Sequence, residues 1–328
     1  MKVLVAGGAG FIGSVLVPML QERGYEVQVA DLLWFGNHLP ASVEVHKRDI
    51  FTMPRDFIAG FDAIIFLAGL SNDPMAEFSP AMNFIDNAAL PTYLAYEAKQ
   101  AGVKKFVYAS SCSVYGYTVD KLYDETSPVT CPYPYGISKL LGERGVLSLG
   151  DSKFSTIALR QGTVCGYSPR QRFDLIINAM FKSAITTGKI VVNNPGIWRP
   201  ILDVRDTASA FIRALQANPS IQGVFNVAYD NFTVGQVADL VKDRVDHLTG
   251  LDVQIQIKDI HDLRNYKVSS SKAQTELGFS PRWSIDDMID SLYEHSNEFG
   301  DYSYESYYNI QVFKKLALAD ARSIKESR

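Results

Sequence analysis

Short, mostly apolar runs separated by stretches of helical periodicity set the pattern of the first half of this chain. The runs lie at 3–6, 27–30, 63–68, 105–109 and 156–160. Runs this short, apolar throughout and not alternating with polar residues, read as strands buried on both faces. A helical stretch opens after the first of them, at Ser14-Val15-Leu16-Val17 and then Met19-Leu20. Strand followed by helix, repeated, predicts an α/β fold whose parallel sheet is doubly wound.

The pattern loosens after about residue 166. Gly, Pro and Asn accumulate, as at Pro195-Gly196, and helices expected around 171–187, 204–216 and 233–248 are broken by irregular segments. Gly223-Val224-Phe225-Asn226-Val227 is apolar enough to rejoin the main sheet. The expectation is therefore a first domain over 1–166, with 200–230 returning to it, and a smaller interleaved lobe over 167–298. Residues 299–328 change character again: Tyr302, Tyr304, Tyr307 and Tyr308 lead into Phe313-Lys314-Lys315-Leu316. This tail reads as a terminal helix or arm packed on the body or on a partner subunit. No internal repeat is apparent.

Composition narrows the classes. With 328 residues and 47% apolar content, the chain can bury a substantial core. Its net charge of −4 and its lack of a basic run argue against nucleic acid as a partner. No apolar stretch approaches the ~20 residues that span a bilayer, so no membrane partner is expected. The first strand starts at once and leaves no room for a signal peptide, which predicts a cytoplasmic location. Cys112, Cys131 and Cys165 are odd in number and lack CxxC spacing, so they read as reduced thiols. The 5 His are scattered, which suggests neither a metal centre nor a Ser-His-Asp hydrolase.

Chemistry enters with Gly7-Gly8-Ala9-Gly10-Phe11-Ile12-Gly13, between the first strand and the first helix. Glycines let a backbone turn sharply and approach phosphates, while a helix N-terminus offers free N–H groups and the positive end of its dipole. A dinucleotide pyrophosphate needs that arrangement. Asp31 ends the next strand (Val27-Gln28-Val29-Ala30), where a carboxylate accepts from the adenosine ribose hydroxyls. It would repel a 2′-phosphate, and no Arg stands beside it in Asp31-Leu32-Leu33-Trp34, so NAD is expected over NADP.

Tyr135-Gly136-Ile137-Ser138-Lys139 is the second informative segment. Pro132 and Pro134 suit a helix start just before it. Tyr135 and Lys139, four apart, share one helix face. An ammonium near a phenol favours the phenolate, so Lys139 is expected to lower the Tyr135 pKa from ~10 and make it a base for a substrate hydroxyl. The run Ser110-Ser111-Cys112-Ser113-Val114-Tyr115-Gly116 follows the strand Phe106-Val107-Tyr108-Ala109, at the carboxyl end where α/β sheets hold their sites. A serine hydroxyl there would hold the substrate oxygen against Tyr135.

These motifs, with Asp49-Ile50, Leu67-Ala68-Gly69 and Asn87, resemble the extended short-chain dehydrogenase/reductases. More narrowly, they resemble the NAD-dependent nucleotide-sugar epimerase/dehydratase family, over roughly residues 1–295. The resemblance implies a Rossmann-like domain with a small C-terminal lobe for a nucleotide-diphosphate sugar, and a homodimer formed through two helices, here near 85–101 and 133–149. It implies that Gly7, Gly10, Phe11 and Ile12 meet the pyrophosphate and Asp31 the ribose. Asp49 and Ile50 would lie near the adenine, and Leu67, Ala68 and Gly69 would line the cofactor strand end. Asn87 would stand as a structural residue beside the site, and Ser110 would belong to the cofactor side. Ser111, Tyr135 and Lys139 match the catalytic set, Lys139 also holding the nicotinamide ribose. Thr163 and Arg199 match substrate positions, Arg199 at the diphosphate, and Arg264 lies near a second phosphate-binding Arg. Arg170, Arg172 and Asn178 are further candidates from the second lobe.

Departures from the family pattern carry information too. Where its dehydratases place Asp-Glu after the catalytic Thr, this chain has Cys112 and Ser113, which supply no carboxylate. Dehydration and decarboxylation are therefore disfavoured. Cys112 reads as a thiol packed beside the site. Thr163 stands where Asn is common, and Leu32 replaces a frequent Asn. The reading is an NAD-dependent nucleotide-sugar epimerase that transiently oxidises a ring hydroxyl, expected at C4. A net dehydrogenase or 4-keto-reductase uses the same residues, and a catalytically silent NAD-binding regulator is a reading of another class.

Overall fold

The computed structural model describes residues 1–258 and 265–326, with side chains for all of these except 118–120 and 318–326. Its centre is a sheet of β1 (Lys2–Ala6), β2 (Glu26–Asp31), β3 (Glu44–Lys47), β4 (Ala63–Phe66), β5 (Lys105–Ser111), β6 (Ser155–Gln161) and β7 (Gly223–Val227). The strand order is β7-β6-β5-β4-β1-β2-β3 and every pairing is parallel. The order reverses between β1 and β4, which opens a crevice at the carboxyl ends of the strands.

Alternate side chains of the strands serve opposite layers. Val3, Val5, Val29, Ile65 and Val107 pack with Leu16, Val17 and Leu20 of the helix Gly13–Glu22 and with Phe211 and Leu215 of Val204–Gln216. Leu4, Ile64, Phe66, Phe106 and Tyr108 meet Leu94 and Ala98 of Leu90–Gln100 and Val146 of Pro134–Leu147 on the other face. β3 carries no apolar run because it is an edge strand of partly or fully exposed residues, Glu-Val-His-Lys.

The second lobe is a helical layer with small sheets. Thr163–Cys165, Trp198–Asp203 and Asp230–Thr233 form one sheet, Lys189–Asn193 pairs with Gln254–Lys258, and Tyr117–Tyr123 pairs with Asn265–Val268. Phe173, Phe181, Ile190, Val241 and Ile289 lie in its core. The helix expected from 171 begins at Ile176. The residues before it are held irregular by other bonds: Asn178 Nδ2 donates to the carbonyls of Gly166 (2.8 Å) and Arg172 (2.9 Å), and Ser168 Oγ donates to the Phe11 carbonyl (2.7 Å).

The C-terminal segment crosses from one lobe to the other. Tyr302 and Tyr307 pack on Phe173, with ring centres 4.9 and 5.2 Å away. The helix Asn309–Glu326 then sets Phe313 against Trp34 and Phe78, each 5.8 Å between centres. Among the described residues no helix is long and apolar enough to cross a membrane, and no cluster of His, Cys, Asp or Glu is placed to hold a metal.

Candidate active site

The cleft at the sheet's carboxyl edge, about 690 Å³ in volume, runs between the lobes. Its first wall is backbone. Gly7 has φ +79°, and a Cβ there would lie 2.4 Å from the Ala68 nitrogen, so the ends of β1 and β4 touch only because residue 7 has no side chain. Gly13 likewise lies against Gly8, where a Cβ would meet the carbonyl oxygen at 2.2 Å. The turn thus folds tightly back into the helix Gly13–Glu22, where the Ser14 and Val15 N–H groups donate to the Gly10 (2.9 Å) and Ile12 (3.1 Å) carbonyls, so the positive end of the helix reaches the cleft through the turn residues Gly10–Gly13 that line it.

Gly7, Gly10, Phe11 and Ile12 line this wall, followed by Asp31, Asp49 and Ile50, then Leu67, Ala68 and Gly69. Asp31 Oδ2 accepts from the Ala9 N–H (3.0 Å) and Oδ1 from the Leu33 N–H (2.8 Å). Burial pushes its carboxyl above the usual range; those two bonds and a nearby cation, Arg170, act against the rise. No Arg follows Asp31 in sequence, but the fold brings Arg170 to it. Asp86, also in the cleft, is pushed up to about 6, first by burial and then by Asp49.

Asn87 stands behind this wall, fully buried and outside the cleft lining. It lies in a π-helical turn, Ile85–Ala89, and its Nδ2 donates to the Leu70 carbonyl (2.9 Å) and Asn83 Oδ1 (2.8 Å). The turn leaves the Asn87 carbonyl to accept from the Tyr108 hydroxyl at 2.8 Å. Gly142 permits this contact, since a Cβ there would lie 2.1 Å from the same oxygen.

The second wall comes from β5 and the helix Pro134–Leu147. Tyr135, Lys139 and Glu143 recur at four-residue intervals on one face of that helix. Glu143 anchors the wall from behind: its carboxylate accepts from Ser110 Oγ (2.7 Å) and from Arg160 Nε (2.9 Å) and Nη2 (2.6 Å). Arg160 Nη1 continues to the Tyr115 hydroxyl (2.8 Å), which donates to Asn226 Oδ1 (2.9 Å). Both charges are buried and their donors and acceptors are matched, the condition under which such a pair is tolerated.

Ser110, Ser111, Tyr135 and Lys139 all line the cleft. Lys139 Nζ donates to the Ala109 carbonyl (3.0 Å) and sits 5.9 Å from the centre of the Tyr135 ring. Burial depresses its ammonium to about 7. The Tyr135 phenol is pushed up, first by burial and then by Asp73, while a hydrogen bond with Ser111 and the Arg172 cation act the other way. This corrects the expected Lys-driven lowering: inside a buried site the loss of water outweighs a cation nearly 6 Å from the ring centre whose own charge burial disfavours.

At the far end lie Thr163, Arg199, Ser113, Tyr266 and Asp73. The Arg199 guanidinium is 5.5 Å from the Tyr266 ring centre, and the Tyr266 hydroxyl is 3.4 Å from Ser113 Oγ. Cys112 lies outside the lining, fully buried, and donates to the Arg160 carbonyl at 3.1 Å; burial pushes its thiol far up. Neither residue brings a carboxylate, but Asp73 does, from the opposite wall. Arg264 lies outside the described residues. Sequence spacing missed Asp73, Tyr266 and Asn309, which arrive from a short helix, a small strand and the C-terminal helix. Only Asp73 left a signal, as the first residue of a helix with Pro74 next to it, directly after β4.

A parallel seven-stranded sheet with a glycine turn at β1, an acid at the end of β2 and a Tyr–Lys pair beside β5 defines an NAD-dependent enzyme of the extended short-chain dehydrogenase type. The description of the NAD dependent epimerase/dehydratase family matches residues 3–228, and the chain belongs to that family. It is similar to UDP-glucose 4-epimerase 3 of Oryza sativa subsp. japonica, 29% identical over 331 residues, covering 88% of this chain and 87% of the other. It is similar also to UDP-glucose 4-epimerase of Lactobacillus helveticus, 28% identical over 324 residues, covering 88% and 95%. Among solved structures it superposes on MoeE5 in complex with UDP-glucuronic acid and NAD, with a TM-score of 0.80, 26% identity and coverage of 91% and 99%.

Proposed function

We propose that this protein is an NAD-dependent nucleotide-sugar 4-epimerase acting on a UDP-linked hexose. One observation carries the reading: Ser111, Tyr135 and Lys139 line a single cleft with the glycine turn at one end and Arg199 at the other. A sensor has no use for an ordered phenol. The similarity to proteins named UDP-glucose 4-epimerase supports the UDP-sugar substrate class.

The residues present fit the cofactor: at Gly10, on the cleft lining, a Cβ would have only the Gly7 carbonyl near it, at 3.4 Å, so the glycine leaves room beside the turn that a side chain would fill. The turn Gly7–Ile12 would hold the diphosphate, Asp31 the adenosine ribose, Asp49 and Ile50 the adenine, and Lys139 the second ribose. Bound NAD supplies a hydride acceptor that becomes a donor, and its positive ring favours ionisation of a nearby phenol.

Ser111 then orients the sugar hydroxyl towards Tyr135, and Tyr135 takes its proton. Arg199 pairs with the diphosphate of the sugar nucleotide, for which a guanidinium fork is well shaped. After the ketosugar has turned its other face to the cofactor, Tyr135 returns the proton. Cys112 and Ser113 offer no carboxylate to remove water across a neighbouring bond.

Exposed apolar side chains on two adjacent helices, Tyr93 and Tyr96 on one and Ile137 and Leu141 on the other, support a homodimer. Light scattering after size exclusion checks it, and a monomer at micromolar concentration rejects it. For the reaction, UDP-glucose and related UDP-sugars are incubated with enzyme and NAD. An isomerised sugar without net NADH is expected; stoichiometric NADH release rejects the epimerase in favour of a net dehydrogenase.

A further inference from the structure

Arg170 is 2% exposed, yet it stands on the wall of the cleft. Its Nη2 donates to Asn309 Oδ1 at 2.6 Å, and its guanidinium lies 3.7 Å from the centre of the Phe35 ring. Nε and Nη1 are buried without a hydrogen-bond partner. Native proteins rarely leave donors of a buried cation unmatched, because each one has lost its water for nothing. The nearby carboxylates do not relieve it: Asp174 Oδ1 is held by Arg172 Nε (2.8 Å), and Asp31 by the Ala9 and Leu33 N–H groups. Two donors beside a dinucleotide cleft call for an anionic oxygen.

Asn309 aims this side chain. It opens the C-terminal helix, is 6% exposed, and donates Nδ2 to Ser71 Oγ at 2.6 Å while accepting from Arg170. Its N–H bonds Asp174 Oδ2 at 3.3 Å. One residue of the arm thus ties the loop after β4 to the loop carrying Arg170. The arm is fixed on both sides, by the Phe173 N–H to Tyr307 carbonyl bond (3.1 Å) before it and Phe313 on Trp34 after it.

We propose that the C-terminal arm is part of the cofactor site: Asn309 positions Arg170 so that Nε and Nη1 receive an anionic oxygen of the NAD diphosphate. The nucleotide sugar also carries a diphosphate, but the surroundings favour the cofactor's. Asp31 and Phe35 lie at the guanidinium, and the neighbouring Arg172 sits 6.0 Å from the ring centre of Phe11 in the glycine turn. Arg199 and Tyr266 belong to the other end. An arm that holds NAD in place suits an enzyme that gives back the hydride it took. The inference rests on NAD being the cofactor and not on which reaction it serves.

The experiment is calorimetric titration of the full chain with NAD, and separately with UDP-glucose. Asn309→Leu and Arg170→Met are each expected to weaken NAD at least tenfold, with UDP-glucose affinity within threefold of wild type. The double variant should be no weaker than Arg170→Met alone, since both act on one contact. Asn309→Asp keeps the acceptor and should restore most of the NAD affinity. Should Arg170→Met fail to fold, Arg170→Lys keeps the charge, loses the fork, and should show the same selective loss. Unchanged NAD affinity in folded Asn309→Leu overturns the proposal. Loss of UDP-glucose affinity instead assigns Arg170 to the sugar diphosphate, and equal loss of both reduces the arm to packing; either overturns it. A wild-type chain that binds no NAD overturns the cofactor reading itself.

Discussion

The half of the cleft around the glycine turn is made mostly of short contiguous segments, with Arg170 brought to it from farther along the chain, whereas the half around Tyr135, Arg199 and Tyr266 is made of single side chains from distant parts of the chain. Gly7–Ile12, Asp49–Ile50 and Leu67–Gly69 each follow a strand of the parallel sheet, so each arrives at the crevice as a unit. Asp73, Thr163, Arg199 and Tyr266 come singly from a short helix and three small strands. A cofactor common to many reactions can be met largely by the backbone geometry that the sheet sets. A particular substrate is met by side chains, which can be exchanged without disturbing the sheet.

That contrast is tested most severely at Tyr135. Tyr135→Phe removes the proton acceptor and little volume; turnover should fall about 10²–10⁴-fold, with NAD and UDP-glucose affinities within threefold by calorimetry. A variant retaining a tenth of the activity would remove the phenol from the mechanism. On the backbone side, Gly7→Ala should cost roughly 1–3 kcal/mol in strain alone, with NAD binding weakened more than tenfold because Ala68 must move. Thermal melts and NAD titration check both, and unchanged NAD affinity would show that the close contact is incidental. Arg199→Ala should weaken UDP-glucose by roughly 10–100-fold, the worth of about 1.5–3 kcal/mol for charged hydrogen bonds, and leave NAD unaffected. Parallel loss of NAD would erase the division between the halves.

The smallest effect concerns Asp86, whose carboxyl is pushed up to about 6 beside Asp49. Because its folded pKa lies above the unfolded one, the fold holds a proton between about pH 4 and 6 that the unfolded chain has released. The stability contributed by this group is present at low pH and is lost as pH rises through about 6. Asp86→Asn should therefore raise the melting temperature by about a few degrees at pH 8 and have little effect at pH 4. A shift of equal size at both values would assign the effect to packing.

Much of the fold was legible because its strands are short, apolar and buried on both faces, so their pattern is independent of partners. β3 was not, because an exposed edge strand has no such signature. The start of the helix at Ile176 was missed for another reason: Asn178, Ser168 and Gly166 hold the preceding loop by hydrogen bonds that sequence periodicity does not register. The residues matched to the family pattern on the first wall line the cleft, apart from Asn87, which lies behind it. The Tyr135–Lys139 pair was legible as a pair but not in its energetics, since burial and Asp73 decide the phenol's acidity and neither is visible at that spacing.

By itself the sequence determined the layered sheet, the glycine turn and the residues at each strand's carboxyl end, because these follow from local pattern and from the handedness of strand–helix–strand connections. Tertiary structure alone decided which charges meet. Arg170 comes to Asp31 from 139 residues away and is held by Asn309 from the far end of the chain. Such meetings depend on how two lobes and an arm pack, and on the water that packing removes, and no spacing along the chain records either.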